Sequence, residues 1–492
     1  MIGYDSIRRF QGALSIASIV VALCLAQFTL SAALSIHGAE VRPGDFRITT
    51  FASGLNYPLS MARLPDGSLL VTISDGPGFL NSTGKLLRLI DADQNGVSDG
   101  PGTVLYSGLT GGLTSVRIGG TLVFVTGQGR GRPITILRLG ATPTTPLSLV
   151  GQINVNYPTG AWLHPHSALA VRPTPGQSQS YDLLFQFGSQ FNFAISTSTG
   201  SISSTNISGA NGLLLGDSFY MLTLIDSGTG VSATNLTRVA SGLRNPAGFA
   251  FQTRTGDLYF QDNGIDGLVD PNEPLSADEL NVIRAADIGV GVEFFGYPSN
   301  YTAYRTGTVI GGQGIQPLVA FLPQPDPSTG EESEGANDIA FAPPAFPDGL
   351  NNGIFLGFHG KFSRGGTNNE ENPLVFVNLA VTNYFHFTSA GQPNVGHLDG
   401  LLATEDSLFV ADLATSGSLD SGSGFGAIYQ IKSLVLPSVR VNRAGNQIGL
   451  TWSYGTLQQA ESVSGQWNDV TNASSPYSVG AGPQPVFFRT RN

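Results

Sequence analysis

Arginine, asparagine and acidic side chains flank a β-hairpin pattern between Gly242 and Asn281. Arg244 and Asn245 come before the first apolar run, and Asp262 and Asn263 follow the second. Because a turn containing glycine separates these two short apolar runs, the pattern predicts paired strands. Polar groups at strand ends lie in loops, where a rigid scaffold presents them for chemistry. The segment therefore predicts a β-protein with a polar site on one face.

A second group of candidate residues is the pair His164 and His166, which comes just before a predicted strand at Leu169. Histidine titrates near neutral pH and can take a hydroxyl proton, so either residue is a candidate general base. A His-x-His pair can instead bind a transition metal, although no third histidine or cysteine is close in sequence. A purely structural role for both residues is the third interpretation.

A third candidate site is the stretch from Asp91 to Asp99. Asp91, Asp93, Asn95 and Asp99 place oxygen donors at positions one, three, five and nine, with glycine at position six. This arrangement matches the first part of a calcium-binding loop. The twelfth position is glycine and not glutamate, and no flanking helices are evident. A structural calcium site and a turn held by aspartate and asparagine side chains are both open.

The composition favours short strands and tight turns. The chain has 492 residues, of which 64 are glycine, 29 are proline and only 12% are charged. This mixture suits many strands joined by turns, and not a helical bundle or a disordered chain. The net charge of −11 argues against nucleic acid as a partner, because phosphate binding needs a basic face.

A repeated unit gives the fold class. Three copies begin at Pro65, Thr255 and Glu405, each with a turn, a strand, an acidic loop and a later strand. More degenerate copies occur at 181–187 and 353–358. Short strands that recur without helical periodicity predict an all-β protein, a β-propeller, with a double β-sandwich as the alternative.

The spacing of the repeats gives the number of blades. Units of roughly 65 residues over about 390 residues predict six blades, which we assign to residues 40–433. The stretch from Phe46 to Phe51 is expected to join the last blade and close the ring, because closure removes an exposed sheet edge.

The N-terminus predicts export. Arg8 and Arg9 precede an apolar run from Ala13 to Leu34, so residues 1–39 are interpreted as a cleaved export signal, with an uncleaved membrane anchor as the rival. The only cysteine, Cys24, lies in this run. The mature chain would therefore be secreted or periplasmic, with no membrane span, no disulfide and no thiolate metal site.

The last part of the chain, residues 434–492, has a different pattern. Short alternating segments and the aromatic residues Trp467, Tyr477 and Phe487 predict a small β-module with its own core. The module resembles C-terminal modules of secreted proteins from environmental bacteria, and an association with the cell surface is expected of it.

The run from Gly242 to Ile283 resembles the glucose/sorbosone dehydrogenase family, whose members are soluble quinoprotein six-bladed propellers. The matching pieces are Gly-Leu-Arg-Asn-Pro from Gly242, Gly-Asp-Leu-Tyr from Gly256, the segment 278–283 and Phe-Gly-Tyr-Pro from Phe295. An insertion at 265–277 lengthens one loop. Weaker similarity extends over about residues 46–432, so the resemblance covers the propeller and not the tail.

The resemblance implies a site for pyrroloquinoline quinone (PQQ). Arg244 and Asn245 occupy the places that face the quinone in the family, and a guanidinium and an amide suit its carboxylates and carbonyls. By the same resemblance His164 is the catalytic base. The run Phe358-His359-Gly360-Lys361-Phe362-Ser363-Arg364 resembles the His-Gly-x-x-x-Arg loop of the family, in which Lys361 and Arg364 would bind cofactor carboxylates. The alternatives are that Arg244 pairs with an acidic loop residue and that the other two cations are solvated.

The resemblance also implies a calcium site beside the quinone. Asp278 would supply a carboxylate, and Asn263 and Gly264 would supply carbonyl oxygens, a donor set that suits calcium. The alternative is that these side chains only stabilise the turn through hydrogen bonds to the backbone.

Together these observations predict an exported, calcium-dependent quinoprotein that oxidises a hydroxyl of a small sugar or polyol. Two alternatives stay open. The first is a non-catalytic propeller that binds glycan or protein at the cell surface, favoured by the absence of the paired arginines that grip the quinone in the family. The second is a calcium-dependent lactonase, because other six-bladed propellers place calcium in the central channel.

Overall fold

The computed structural model describes residues 34–270, 273–361, 364–435, 438–452, 454–482 and 484–491. Most of the predicted export signal, including Arg8, Arg9 and Cys24, lies outside these residues. No helix among the described residues has the length and apolar character to cross a bilayer.

The described residues form strands, with two short 3-10 helices at Pro43–Asp45 and Gly366–Asn368. Strand β1 covers Phe46–Leu55. Sheet 1 contains β2 (Met61–Arg63), β3 (Leu69–Asp75), β4 (Thr83–Leu89) and β5 (Thr103–Thr110). Sheet 2 contains β6 (Leu113–Gly119), β7 (Leu122–Gly127), β8 (Ile134–Arg138), β9 (Ser148–Asn156), β12 (Thr199–Ser203) and β13 (Gly212–Leu215). Sheet 3 contains β10 (Leu169–Pro173), β11 (Ser180–Phe187), β14 (Ser218–Asp226), β15 (Val231–Ser241) and β19 (Glu293–Phe294).

The second half of the ring is built in the same way. Sheet 4 contains β16 (Asn245–Phe251), β17 (Leu258–Asn263), β18 (Asp278–Ile283) and β22 (Val319–Phe321), with a hairpin of β20 (Tyr301–Thr302) and β21 (Val309–Ile310) inserted between its last two strands. Sheet 5 contains β23 (Ala336–Phe341), β24 (Gly353–Phe358), β25 (Leu374–Asn378) and β26 (Asn383–Thr388). Sheet 6 contains β27 (Gly400–Ala403), β28 (Ser407–Asp412) and β29 (Gly426–Ser433), and β1 completes it.

The innermost strand of each sheet contacts the innermost strand of the next. Strands β2, β6, β10, β16, β23 and β27 follow one another around the ring, and β27 contacts β2. Six sheets in a closed ring fit the predicted six-bladed propeller, and the double β-sandwich is excluded. Strand β1 pairs antiparallel with β29, with Phe46 opposite Ser433, so the prediction that this stretch closes the ring is confirmed.

The central strands are buried because each sheet is packed between two others. All residues of β24 and β28 are buried, and their sequences read as nearly continuous apolar runs, as expected of strands covered on both faces. The hydrophobic cores lie between neighbouring sheets; Phe219 of sheet 3, for example, contacts Phe249 and Phe260 of sheet 4 with ring centroids 5.2 and 5.1 Å apart. Close packing at the axis requires small residues. A Cβ at Gly400 would lie 1.6 Å from the carbonyl oxygen of Leu59.

Residues 440–491 form two small three-stranded sheets. One contains β30 (Arg440–Ala444), β31 (Gln447–Thr451) and β34 (Tyr477–Gly480), and the other contains β32 (Thr456–Ala460), β33 (Asn468–Asp469) and β35 (Phe487–Arg491). By its contacts the chain from Leu34 to Asn492 is one compact unit, so the boundary at residue 434 stays a prediction.

Candidate active site

A cavity of about 260 Å³ opens where the six innermost strands begin. Every sheet contributes to its wall a residue at or just before the start of its innermost strand: Leu59, Thr114, Ser167, Asn245, Ala336 and Asp399. The second strand of each sheet runs antiparallel to the first and therefore ends at this same mouth. The polar residues at these second-strand ends that reach the cavity are Gln128, Asn263 and His359. Phe79, Leu80, Leu413 and Leu419 supply an apolar part of the wall.

Two asparagines of sheet 4 form an ordered part of this wall. Asn245 begins β16 and Asn263 ends β17, and the two residues are opposite one another in the antiparallel pair. The Asn245 amide donates to Asn263 Oδ1 at 2.8 Å, and the Asn263 amide donates to the carbonyl oxygen of Ala336 at 2.9 Å. The backbone N–H of Asn245 donates to Asp262 at 2.6 Å. These bonds fix both amides at the cavity edge.

A histidine held by a buried carboxylate also lines the cavity. His359 follows β24, and its Nδ1 lies 2.9 and 3.0 Å from the two carboxylate oxygens of Asp399, which precedes β27. The side chain of Asp399 is 1% exposed. Burial opposes ionisation of Asp399, but the interaction with His359 outweighs it and holds the pKa of this carboxyl below its usual range. A carboxylate in this position orients the imidazole, which is the support that a general base needs.

A second histidine stacks on this one. The rings of His359 and His397 are 3.9 Å apart and 8° from parallel. His397 is fully buried, its Nδ1 lies 2.7 Å from the carbonyl oxygen of His359, and its Nε2 lies 2.9 Å from that of Gly417. Burial lowers the pKa of His397 to about 4, but both ring nitrogens face carbonyl oxygens, and a neutral ring can donate to only one of them. His397 therefore links the backbones of His359 and Gly417 and stacks on the ring of His359.

The sequence pattern did not indicate this pair of groups. His359 belongs to the predicted motif with Lys361 and Arg364 but had no predicted role, and Asp399 had none. The available signal was His397-Leu398-Asp399 directly before a strand, which parallels the position of the predicted histidines before Leu169.

Arg244, predicted to face the quinone, is bound to other groups of the protein. Its side chain is 3% exposed and pairs with Asp266 at 2.6 Å. Its Nη2 and Nε also donate to the side-chain oxygen of Asn192 at 2.9 and 3.2 Å, and Nη1 lies 3.5 Å from the carbonyl oxygen of Asn263. Arg244 thus lies directly behind the amide wall but does not line the cavity, which is the pairing with an acidic loop residue that the sequence left open.

The two predicted histidines differ in their surroundings. His166 is buried, and its ring nitrogens lie 2.7 Å from the Tyr157 hydroxyl and 2.8 Å from the carbonyl oxygen of Arg132. Burial lowers its pKa to about 4. Because both nitrogens are used within the protein, His166 has a structural role, and a His-x-His transition-metal site does not fit.

His164 lies beside Arg244. A Cβ at Gly188 would touch the carbonyl oxygens of both residues, at 2.8 and 2.9 Å, so the two backbones flank this glycine. Burial, followed by the positive charge of Arg244, lowers the pKa of His164 well below its usual value. Its Nε2 is buried and has no hydrogen-bond partner within the described part of the chain. His164 is therefore a neutral imidazole near the site, but it is not in the cavity wall.

The predicted calcium ligands form a tight turn. Asp278 is 7% exposed, and its carboxylate oxygens accept the backbone N–H groups of Gly264 at 2.7 Å and Ala336 at 3.0 Å, and the Asn263 amide at 3.3 Å. Burial raises the pKa of Asp278, and these three donors partly offset the rise. The donors account for the position of the carboxylate without an ion, so a calcium ion at Asp278 would have to share oxygens that already accept N–H bonds.

The other predicted site residues lie apart from the cavity. Lys361 Nζ pairs with Glu370 at 2.7 Å and Glu371 at 3.4 Å, and the bond to Glu370 raises its pKa. Arg364 is exposed. Neither is in the cavity wall as the described residues define it.

The predicted calcium loop, which contains Asp91, Asp93, Asn95 and Asp99, follows β4, and Thr49 Oγ1 of β1 donates to the carbonyl oxygen of Gly96 in this loop at 2.6 Å. Asp91 accepts the backbone N–H groups of Asn95 at 3.0 Å and Gly96 at 2.8 Å, and Asp99 accepts that of Ala92 at 2.7 Å. These bonds are present in a simple turn as well as in a calcium loop.

No protein-family model matches the chain. An uncharacterized protein of Borreliella burgdorferi is 32% identical over 133 residues, which are 26% of this chain and 31% of that protein. The chain therefore spans about a third of the length of the curated relative that it matches.

Solved structures share the fold over most of the chain. The iodide structure of the Trichoderma reesei carbohydrate-active enzyme of family AA12 has a TM-score of 0.51 at 14% identity and covers 83% of this chain and 99% of that one. Its calcium structure has a TM-score of 0.50 at 15% identity, with coverage of 82% and 98%. The PQQ-bound aldose sugar dehydrogenase of Streptomyces coelicolor gives 0.45 at 18% identity, with coverage of 80% and 99%. The chain has the fold of the family AA12 enzyme. The fold class expected from the sequence is thus confirmed.

Proposed function

We propose that this protein is a secreted or periplasmic, PQQ-dependent dehydrogenase of sugars or polyols. The observation that supports this most is the axial cavity, to which all six sheets contribute and whose wall combines amides with a carboxylate-held histidine. Ligands of propellers bind where strand ends from every blade converge, and amides and a histidine are the groups that a quinone and a hydroxyl substrate require.

The residues around the cavity fit one part of PQQ better than the other. Asn245, Asn263, Asn337 and Gln128 bring amide groups to the wall, and these suit the carbonyl oxygens of a planar quinone. The carboxylates of the cofactor fit less well. Arg244 is paired with Asp266, and Lys361 is paired with two glutamates, so their charges are already used. When bound, the quinone supplies the acceptor for two electrons.

Calcium beside the quinone stays part of the proposal. Gly264, Asn263 and Asp278 would hold it, and their position directly behind the amide wall supports this choice.

The chain itself would accept the proton that leaves the substrate hydroxyl. We assign this role to His359, because it lines the cavity and Asp399 orients its ring. His164, the base implied by the family resemblance, lies behind the cavity wall, where burial and the charge of Arg244 lower its pKa and keep its ring neutral. We therefore give it an indirect role. The apolar side of the cavity, formed by Phe79, Leu413 and Leu419, would exclude water from the substrate.

The test is to add PQQ and calcium to the purified chain, measure quinone binding, and follow dye reduction with a panel of sugars. We expect His359→Gln to lower kcat by about 100-fold or more while quinone affinity is retained. His164→Gln should have a smaller effect, and His37→Gln at an exposed position is the matched control with none. Absence of quinone binding at micromolar concentration would refute the proposal.

The second candidate is a propeller that binds glycan or protein at the cell surface without catalysis. The pairing of Arg244 and Lys361 with acidic residues of the same chain favours it, because no cation is left in the described cavity wall for an anionic cofactor. Residues 440–491 would then provide the surface association. Tight glycan binding without turnover in the same panel would support this candidate over the first.

A further inference from the structure

Three glutamates come together next to the cavity, where sheets 4 and 5 meet. Glu332 and Glu334 lie in the loop before β23, and Glu371 lies in the loop before β25. One carboxylate oxygen from each lies within 4.8 Å of the others, and within the described ranges this is the one set of three metal-ligating side chains that meets this criterion. Oxygens on opposite sides of a calcium ion are separated by about 4.6–5.2 Å.

The surrounding cations do not balance these acids. Arg305 pairs with Glu332 and also with Glu273, at 2.5 and 2.8 Å. Lys361 pairs with Glu371 and also with Glu370. Four carboxylates therefore share two cations, and Glu334 forms no ion pair with either cation. Burial and the neighbouring carboxylates raise the pKa of Glu334 to about 10.

A buried tyrosine gives an independent indication of a ligand. Tyr304, in the inserted segment of sheet 4, is 1% exposed, and its hydroxyl has no hydrogen-bond partner in the described part of the chain. The hydroxyl lies close to Glu334 and Glu332, whose charges, after burial, raise its pKa further. One oxygen of Glu334 is also buried without a partner there. Buried polar atoms in native proteins are nearly always satisfied. The Tyr304 hydroxyl interacts with Glu334 and opposes the rise in its pKa, but neither oxygen has a hydrogen bond of normal geometry among the described residues, so an ion that both contact would satisfy them.

We propose that Glu332, Glu334, Glu371 and the Tyr304 hydroxyl form a binding site for a hard divalent cation, with calcium as the expected ion. All four donors are oxygens, which excludes the softer metals that require sulfur or imidazole ligands. None of the four ligands belongs to the Asp278 turn, although the charge of Asp278 acts on both Glu334 and Tyr304. The site does not depend on quinone binding or on the proposed dehydrogenase activity.

The cation would stiffen the cavity wall. The backbone N–H of Glu334 donates to the carbonyl oxygen of Glu371 at 3.2 Å, and that of Gly360 donates to the carbonyl oxygen of Glu334 at 2.9 Å. The next residue, Gly335, lines the cavity and accepts the N–H of His359 at 2.9 Å. An ion on Glu334 and Glu371 would therefore fix the loop that carries His359.

The test is direct binding of calcium to the full chain by calorimetry, together with terbium luminescence excited through tyrosine. We expect Glu334→Gln to bind one ion fewer per chain, or to bind it at least about tenfold more weakly. Tyr304→Phe should reduce the terbium emission that belongs to this ion. Glu370→Gln is the matched control, because Glu370 is next to Glu371 and its side chain is 70% exposed, but it is outside the cluster.

Thermal unfolding in EDTA is the control for correct folding of the variants. There Glu334→Gln should melt at or above the wild-type temperature, because it removes an uncompensated buried acid. The rise in melting temperature on adding calcium should then be smaller in this variant than in the wild type and the Glu370→Gln control. Equal stoichiometry, affinity and calcium-induced stabilisation in all three proteins would overturn the proposal, whether or not the protein binds PQQ.

Discussion

One ion pair crosses the axis of the ring, and its removal should cost measurable stability. Arg117 in β6 of sheet 2 and Asp338 in β23 of sheet 5 lie three sheets apart, and Arg117 Nη2 is 3.1 Å from Asp338 Oδ1. Arg117 Nη1 also donates to Ser60 Oγ at 2.9 Å, and Asp338 Oδ2 accepts the N–H of Leu401 at 3.3 Å. Four of the six sheets therefore meet at this pair.

The change is Arg117→Met, which keeps the apolar stem and removes the charge. At an effective dielectric constant of about 20, unit charges 3.1 Å apart attract by roughly 5 kcal/mol. Removing one partner of a buried pair costs about 3–5 kcal/mol, because the other charge stays buried. The side chain of Arg117 is 21% exposed and that of Asp338 is 6% exposed. Allowing for this partial exposure, we expect a loss of about 2–4 kcal/mol in the free energy of unfolding.

The pH dependence of this stability loss shows whether the unpaired charge of Asp338 causes it. Burial already raises the pKa of Asp338, and Arg117 opposes that rise. Without Arg117 the pKa of Asp338 in the folded state rises further above its unfolded value. An acid with a raised pKa loses stability as pH increases, so the penalty of Arg117→Met should be larger at pH 8 than at pH 5.

The assay is urea unfolding followed by fluorescence at both pH values. Arg117→Met/Asp338→Leu is the second variant, and it should recover most of the loss because no unpaired charge stays buried. A penalty that is the same at both pH values, or a double variant no more stable than the single one, would refute the electrostatic explanation.

Two further predictions concern acidic groups. Burial raises the pKa of Glu279 to about 8 and that of Asp262, which is opposite it in the sheet, to about 7. Both values lie above those of the unfolded chain, so the free energy of unfolding should fall from pH 5 to pH 8. In urea unfolding with EDTA, Glu279→Gln should make this fall smaller. The same dependence of stability on pH in variant and wild type would contradict the prediction. If the loop at Asp91 holds calcium, Asp91→Asn should reduce the calcium-induced rise in melting temperature. One site stabilises the folded chain by about 2.7 kcal/mol at a calcium concentration of 100 times its Kd, and the variant would lose up to this amount. A variant that responds to calcium as the wild type does would show a simple turn.

The strands and turns could be predicted because their signals are local. The turn at Thr255-Gly256-Asp257 separates β16 and β17 as the pattern indicated, and the turns near Pro65 and Glu405 separate the first two strands of sheets 1 and 6. Apolar runs of five to eight residues bounded by turn residues specify such strands without any long-range information. Closure by β1 followed from the cost of an open sheet edge.

The partners of the predicted site residues could not be predicted, because they are distant in sequence. Arg244 is bound by Asn192, which is 52 residues away, and by Asp266, which lies in the inserted loop. The sequence shows the guanidinium but not which of several acidic and amide groups binds it in the folded chain. The same limit applies to the three glutamates and Tyr304, which come from three separate loops.

The position of His359 shows which information was missing. In a ring of antiparallel sheets, the first strand starts and the second strand ends at the same mouth. Asn245, Asn263, Asp399 and His359 all occupy one of these two positions, in sheets 4, 5 and 6. Once the first and second strands of each blade are assigned, polar residues just before a first strand or just after a second strand are the cavity candidates, and His359 and Asp399 are among them. The repeat pattern gave this assignment for the blades at Pro65, Thr255 and Glu405, but the blade of His359 is a degenerate copy. Its histidine was therefore recognised as part of a motif and not as a residue of the mouth.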